Sequence, residues 1–253
     1  MSENRNEKRV VVVTGGASGM GLGICQAFAA SGHPVAMLDL QDELLARESA
    51  AIRAKGGKVL ALRADVANRA EIDAAYDQVR RELGPISIVI ANAGYSKSVD
   101  FVTMPLATWQ RMMDVCLTGV FHTIQAAVPD MIAAKWGRIV TISSNAGQWG
   151  APDRADYAAA KGGVIGLTKA LARELAKHGI TSNTIPPSLV DTPLARQGVA
   201  DGEVPPLDVM AQHIPIARAG TPEDIAGACE FLCSDKASYI TGLEMNVNGG
   251  IYM

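Results

Sequence analysis

Apolar residues along this chain gather in seven short runs, near 10–14, 35–39, 58–64, 86–91, 138–143, 180–185 and 243–247. Little polar alternation interrupts them, so each reads as a strand buried on both faces, the pattern of a parallel sheet covered by helices. Between the runs lie helical patterns long enough to cross back over such a sheet. Alternating β and α predicts an α/β fold, a doubly wound seven-stranded parallel sheet with helices on both faces. Residues 10–253 form this one domain, and residues 1–9 a polar N-terminal tail. One stretch breaks the rhythm. Residues 193–220 hold prolines at 193, 205, 206 and 215 and glycines at 198, 202 and 220. An irregular insertion of that length predicts a flap over a substrate, with Leu194, Val199, Val204, Leu207, Val209 and Met210 as its apolar underside.

The first run, Val10-Val11-Val12-Val13, leads into Thr14-Gly15-Gly16-Ala17-Ser18-Gly19-Met20-Gly21 and then a helical pattern through Ala30. Glycines let a backbone approach a ligand closely, and the unpaired N–H groups of a helix N-terminus suit a pyrophosphate. The second run ends in Asp39, twenty residues after Gly19, where an acid suits a ribose 2′-hydroxyl. A 2′-phosphate would meet that carboxylate with no cation in the glycine loop to shield it, so the expected cofactor is NAD rather than NADP. Arg47 and Arg63 are the cations that would offset this.

Composition narrows the partners. With 253 residues, 48% hydrophobic and 19% charged, the chain can bury one full core. A net charge of −3, with basic residues scattered among acids, leaves no footprint for nucleic acid. The polar segment Met1 to Arg9 resembles neither a secretory signal nor a membrane anchor, so the expected location is cytoplasmic, away from the membrane. Cysteines 25, 116, 229 and 233 and histidines 33, 122, 178 and 213 form no ligand pattern, so no metal is expected.

Proton-handling chemistry gathers elsewhere. Ser144 follows the run Arg138-Ile139-Val140-Thr141-Ile142-Ser143 and stands thirteen residues before Tyr157 in Tyr157-Ala158-Ala159-Ala160-Lys161. If residues 155–178 are helical, Tyr157 and Lys161 share a face, and the ammonium favours an ionised phenol beside it. Ser144 would sit at a strand's C-terminal edge, where ligands collect in open α/β sheets.

On these residues the chain resembles the short-chain dehydrogenase/reductase family, from Val10 to its C-terminus. Thr14-Gly15-x-x-x-Gly19-x-Gly21 is similar to its cofactor loop, with Ser18 and Met20 inside it; Asp65-Val66 resembles its adenine contact. Asn92-Ala93-Gly94 resembles the turn beside the cofactor, and Ser144, Tyr157 and Lys161 match its active-site pattern. Pro187 followed by Val190 and Thr192 resembles the segment that holds the nicotinamide. The resemblance implies a single Rossmann-type domain that moves hydride between nicotinamide and a carbinol or carbonyl carbon, with Tyr157 as acid or base, Ser144 bound to the substrate oxygen, and Lys161 on the nicotinamide ribose. Three departures stand out. Cys116 replaces an asparagine that in the family bends its helix and helps hold a water joining Lys161 to solvent, Ser188 replaces a glycine, and Pro186 precedes Pro187.

The expected reaction interconverts a hydrophobic, cyclic secondary alcohol and its ketone, with Tyr95, Gln148, Trp149 and Leu189 lining the substrate site. Alternatives are reduction of 3-oxoacyl thioesters, against which Asp39 argues because biosynthetic reductions usually draw on NADPH, and a nucleotide-binding regulatory protein with little turnover. Gly162, Gly163 and Gly166 within helix 155–178 suit close packing, and similar proteins pack this helix against a partner subunit, so a homotetramer is expected.

Overall fold

The computed structural model describes residues 8–253, so Met1–Glu7 of the predicted tail lie outside the described residues. In chain order the first half runs β1 (Val10–Thr14), α1 (Gly19–Ala30), β2 (Val35–Asp39), α2 (Asp42–Ala54), β3 (Val59–Arg63), α3 (Arg69–Glu82) and β4 (Ile86–Ala91). Next come α4 (Leu106–Met113), a π-helical turn (Asp114–Thr118), α5 (Gly119–Ala134), β5 (Gly137–Ile142), α6 (Ala146–Trp149), α7 (Ala155–Leu175) and β6 (Ile180–Ile185). α8 (Pro193–Ala200), α9 (Leu207–Ala211) and α10 (Pro222–Cys233) complete the order.

The strands form one parallel sheet in the order β3-β2-β1-β4-β5-β6. Pleating explains why their sequences carry no polar alternation. Val10 and Val12 turn to the face where Ile72, Tyr76, Ile124 and Val164 of α3, α5 and α7 pack; Val11 and Val13 turn to the face of Ile24, Phe28, Ile225 and Leu232 of α1 and α10. Both faces are covered, so most positions are apolar and polar ones such as Thr141 and Thr184 bond internally. The chain winds outward from β1 through β3, then returns to place β4 on β1's other side, opening a crevice past the C-terminal ends of β1 and β4.

The seventh strand is a correction. Residues 243–247 lie beside β6, but pairing shrinks to a single parallel bridge, Thr184 with Glu244. Side chains take part of what a ladder would use: Asn183 Oδ1 accepts the Leu243 N–H at 3.0 Å, and Thr241 Oγ1 accepts the Ser182 N–H at 3.1 Å. Among the described residues the sheet therefore has six strands. Within 193–220, two short helices replace the irregular chain expected there. Thr192 Oγ1 caps α8 by accepting the Ala195 N–H, and Pro193 at the first turn lacks the N–H that would be unsatisfied there.

α4, the π turn and α5 form one continuous helix of 29 residues, apolar and long enough to cross a bilayer, with half of its most apolar window buried. α5 packs on β4 and β5, and core helices pass the same length test. The four cysteines are free and buried. His122 is partly buried, its Nδ1 2.9 Å from the Val66 carbonyl oxygen.

Candidate active site

A cleft of about 880 Å³ opens at the crevice between β1 and β4. Its floor is the loop from β1 into α1. Gly15 turns there at φ +64°, in the left-handed region that favours glycine. Gly21 serves a different purpose: a Cβ on it would lie 2.0 Å from the Gly15 carbonyl oxygen, so it lets α1 pack against the loop and does not line the cleft. Ser18 is the N-cap of α1 but makes no side-chain cap, and no acid occupies the first turn. The helix thus presents its positive end to the cleft without an internal acceptor.

Asp39 closes the far end of β2. Its Oδ2 accepts the Ala17 N–H at 3.0 Å, and its Oδ1 accepts those of Leu40 and Gln41 at 2.8 and 3.2 Å. Three donors fix the carboxylate at the rim. The other charges on the cleft wall pair off: Arg47 with Glu48 at 2.7 Å and Arg111 with Asp65 at 3.3 Å. Arg63 is held by Glu71 at 3.2 Å and lies 3.9 Å from Asp42. Asp39 is left as the uncompensated charge of the wall.

Ser18, Gly19, Met20, Asp65, Val66, Asn92, Ala93, Gly94, Tyr95 and Thr192 also line this cleft. Asn92 braces it by donating Nδ2 to the carbonyls of Thr14 and Gly15, at 2.9 and 3.1 Å. Arg111, Val115 and Gln197 join the lining unforeseen, brought in by α4, the π turn and α8, and Leu194 of the predicted flap lines it too. A dinucleotide fits this donor set, with a glycine cradle and free helix N-terminus for its phosphates and a carboxylate for a ribose hydroxyl.

Ser144 follows the C-terminal end of β5, and Tyr157 and Lys161 stand on α7; none of the three is in the cleft lining. Lys161 is 3% exposed and donates Nζ to the Ile142 carbonyl at 2.8 Å, which aims the ammonium along the strand end. It lies 5.7 Å from the Tyr157 ring centroid. A Cβ on Gly94 would fall 3.5 Å from this nitrogen, so Gly94 joins the ammonium to the cleft wall. Ser143 Oγ donates to the Lys161 carbonyl at 2.8 Å, tying α7 to the strand. Ser144 Oγ accepts the Ala146 N–H at 3.1 Å and donates to Asn145 Oδ1 at 3.3 Å.

Cys116 is fully buried in the π turn, its Sγ 3.6 Å from the Tyr95 carbonyl oxygen to which it donates. The same hypothetical Cβ on Gly94 would lie 3.4 Å from Sγ, so thiol and ammonium flank one glycine. The helix keeps a widened turn here without the asparagine, and such turns cluster at functional sites. Burial, followed by the nearby Cys116, pushes the Tyr95 phenol above its ordinary value, Arg111 opposing. Tyr95 therefore stays a neutral hydroxyl on the cleft wall.

The remaining predicted residues lie outside the cleft lining. The Pro187 carbonyl accepts the Asn145 N–H at 3.0 Å, and Val190 bridges Gly220, whose N–H goes to the Leu189 carbonyl at 2.9 Å. Gln148 is committed to the C-terminal segment, donating Nε2 to Glu244 at 3.2 Å and Asn246 at 2.9 Å. Trp149 sets its ring edge-on against Tyr252, centroids 5.5 Å apart. Asn145, Glu244 and Tyr252 thus support the site although sequence reading passed them over; contacts across roughly a hundred residues leave no local signal. A second cavity, of about 800 Å³, lies at the opposite ends of β5 and β6 and includes none of the predicted site residues.

A family model described as enoyl-(acyl carrier protein) reductase matches residues 15–252. The chain is 38% identical over 247 residues to a 3-oxoacyl-[acyl-carrier-protein] reductase of Synechocystis sp., covering 97% of each chain. It is 36% identical to the 3-oxoacyl-[acyl-carrier-protein] reductase MabA of Mycobacterium tuberculosis, over 97% of this chain and 93% of that one. Among solved structures, the crystal structure of gox2181 superposes with a TM-score of 0.92 at 34% identity, over 98% of this chain and 96% of that one.

Proposed function

This chain belongs to the short-chain dehydrogenase/reductase family of oxidoreductases, and from that premise we propose that it reduces the 3-keto group of a 3-oxoacyl thioester to the alcohol, with Ser144, Tyr157 and Lys161 as its catalytic set and NAD(H) as its preferred cofactor. The observation that carries the substrate class is the agreement of relatives 36–38% identical over nearly the whole chain, each named for that reduction. The family model's description names enoyl reduction, on the same kind of carrier. The Ser144 and Tyr157 hydroxyls suit a keto oxygen that must be bound and then protonated.

The cofactor's phosphates would rest on the loop of Gly15, Ser18, Gly19 and Met20, with its adenosine ribose against Asp39 and its adenine near Asp65 and Val66. Asn92, Ala93, Gly94, Pro187, Val190 and Thr192 would hold the nicotinamide half. Bound there, the nicotinamide supplies the hydride. Ser144 donates a hydrogen bond to the substrate's keto oxygen, and Tyr157 delivers its phenolic proton to that oxygen. Lys161, fixed by the Ile142 carbonyl, stabilises the charge left on Tyr157. In the oxidising direction Tyr157 takes the proton back. Proton return through Lys161 is slowed because Cys116 bonds water more weakly than an amide does.

A second reading, NAD-dependent oxidation of a hydrophobic, cyclic secondary alcohol, is favoured by Asp39. Initial rates at 340 nm decide. A 3-oxoacyl thioester with NADH, run beside cyclic and aliphatic alcohols with NAD, should show the thioester fastest. Faster alcohol oxidation would favour the second reading, and tight NAD binding with no turnover would leave a nucleotide-binding regulator. We also propose a homotetramer through α7, supported by Gly166, around which no atom lies within 4 Å of an added Cβ. Sedimentation showing only monomer would overturn it.

A further inference from the structure

The Ser144 hydroxyl has one proton, and in this structure it is directed at Asn145 Oδ1, 3.3 Å away, while the Ala146 N–H occupies one lone pair at 3.1 Å. Asn145 donates two bonds to the same neighbouring segment. Its backbone N–H goes to the Pro187 carbonyl at 3.0 Å, and its Nδ2 goes to Ser188 Oγ at 3.2 Å. That segment is stiff, because Pro186 and Pro187 fix two successive φ angles. The amide of Asn145 is therefore held from behind by Ser188 while its oxygen faces Ser144.

We propose that Asn145 is a positioning residue for Ser144, and that Ser188 holds its amide in register. The inference rests on the reading of Ser144 as the group that binds the substrate oxygen. In the free protein the serine proton waits on Asn145 Oδ1 through a long bond, which an arriving keto oxygen displaces. Ser188 keeps the amide from rotating to follow the proton. A glycine at 188 would leave Nδ2 without this acceptor. The serine at 188 and the asparagine at 145 thus work as a pair, coupling the segment after β6 to the hydroxyl after β5.

The test combines four variants with a control. Ser188→Gly should lower kcat by roughly threefold to tenfold and leave the KM for the thioester within about twofold, and Ser188→Thr, which keeps the hydroxyl, should restore the rate. Asn145→Ala should lower kcat at least as much as Ser188→Gly, at every pH. Asn145→Asp puts a carboxylate beside Ser144 that cannot donate to Ser188 and grips the serine proton in a charge-assisted bond. Its rate relative to the unsubstituted protein should be low at pH 8 and climb as pH falls toward about 4, where the carboxylate begins to protonate. A purely structural role would give a loss independent of pH, and that result overturns the inference. Ser144→Ala separates it from the functional reading. If Ser144→Ala is crippled while the Ser188 and Asn145 variants turn over normally, the positioning role falls and the reaction stands. If Ser144→Ala keeps its full rate, both fall.

Discussion

Replacing Asp39 by asparagine should convert cofactor choice without dismantling the cleft. The carboxylate is the unpaired charge of a wall on which Arg47 and Arg111 are already matched to Glu48 and Asp65. Two like charges 4 Å apart cost about 4 kcal/mol at an effective dielectric of 20. Screening at the rim reduces this to about 2 kcal/mol, or roughly 30-fold in preference at 1.4 kcal/mol per decade. Asp39→Asn removes that repulsion and keeps one acceptor for the N–H groups of Ala17, Leu40 and Gln41, at a stability cost of about 1 kcal/mol. The assay is initial rate at 340 nm with NADH and NADPH across a concentration series. The protein should favour NADH by at least about 30-fold in kcat/KM, and Asp39→Asn should bring the two within about threefold. Equal use of both cofactors before substitution, or a ratio unmoved by it, would refute the electrostatic reasoning.

Further outcomes follow from other contacts. Gly21→Ala drives a Cβ to 2.0 Å from the Gly15 oxygen, so it should abolish cofactor binding in a fluorescence titration and lower the melting temperature. Cys116→Asn should raise turnover severalfold and alter its pH profile; no change in either would remove the proton-relay argument. Arg218 and the Thr221 N–H hold the Asp224 carboxyl down at about 2, below its ordinary 3.8. A folded-state value below the unfolded one stabilises above about pH 3.8, and this contribution is lost as pH falls through about 2. Asp224→Asn should therefore cost about 1 kcal/mol at pH 7, the size of a helix cap on a partly exposed group, and progressively less in melts between pH 4 and 2.

The sheet was largely legible because strands buried on both faces are mostly apolar, as residues 10–13 and 88–91 are. Residues 243–247 looked the same, yet Asn183 and Thr241 divert backbone donors there, a competition that hydrophobicity does not report. The glycine loop, Asp39 and the pairing of Tyr157 with Lys161 were readable because each depends on local spacing. The π turn at Cys116, the grip of Glu244 and Asn246 on Gln148, and the bond from Asn145 to Ser188 join elements distant in sequence or depend on backbone detail. Gln148 and Trp149 carry polar and aromatic groups that suit a substrate wall, and the Gln148 Nε2 and the Trp149 ring also meet the chain's own C-terminal segment.

The central claim is that Tyr157 protonates the keto oxygen of a 3-oxoacyl thioester. Its most direct test compares the unsubstituted protein with Tyr157→Phe for thioester-dependent NADH oxidation, with cofactor affinity titrated in parallel. The account predicts clear turnover that falls by at least about 100-fold on removing the hydroxyl, while NADH affinity changes by less than about threefold. Turnover surviving in Tyr157→Phe, or NADH bound tightly by a protein that reduces no 3-oxoacyl thioester, would contradict it.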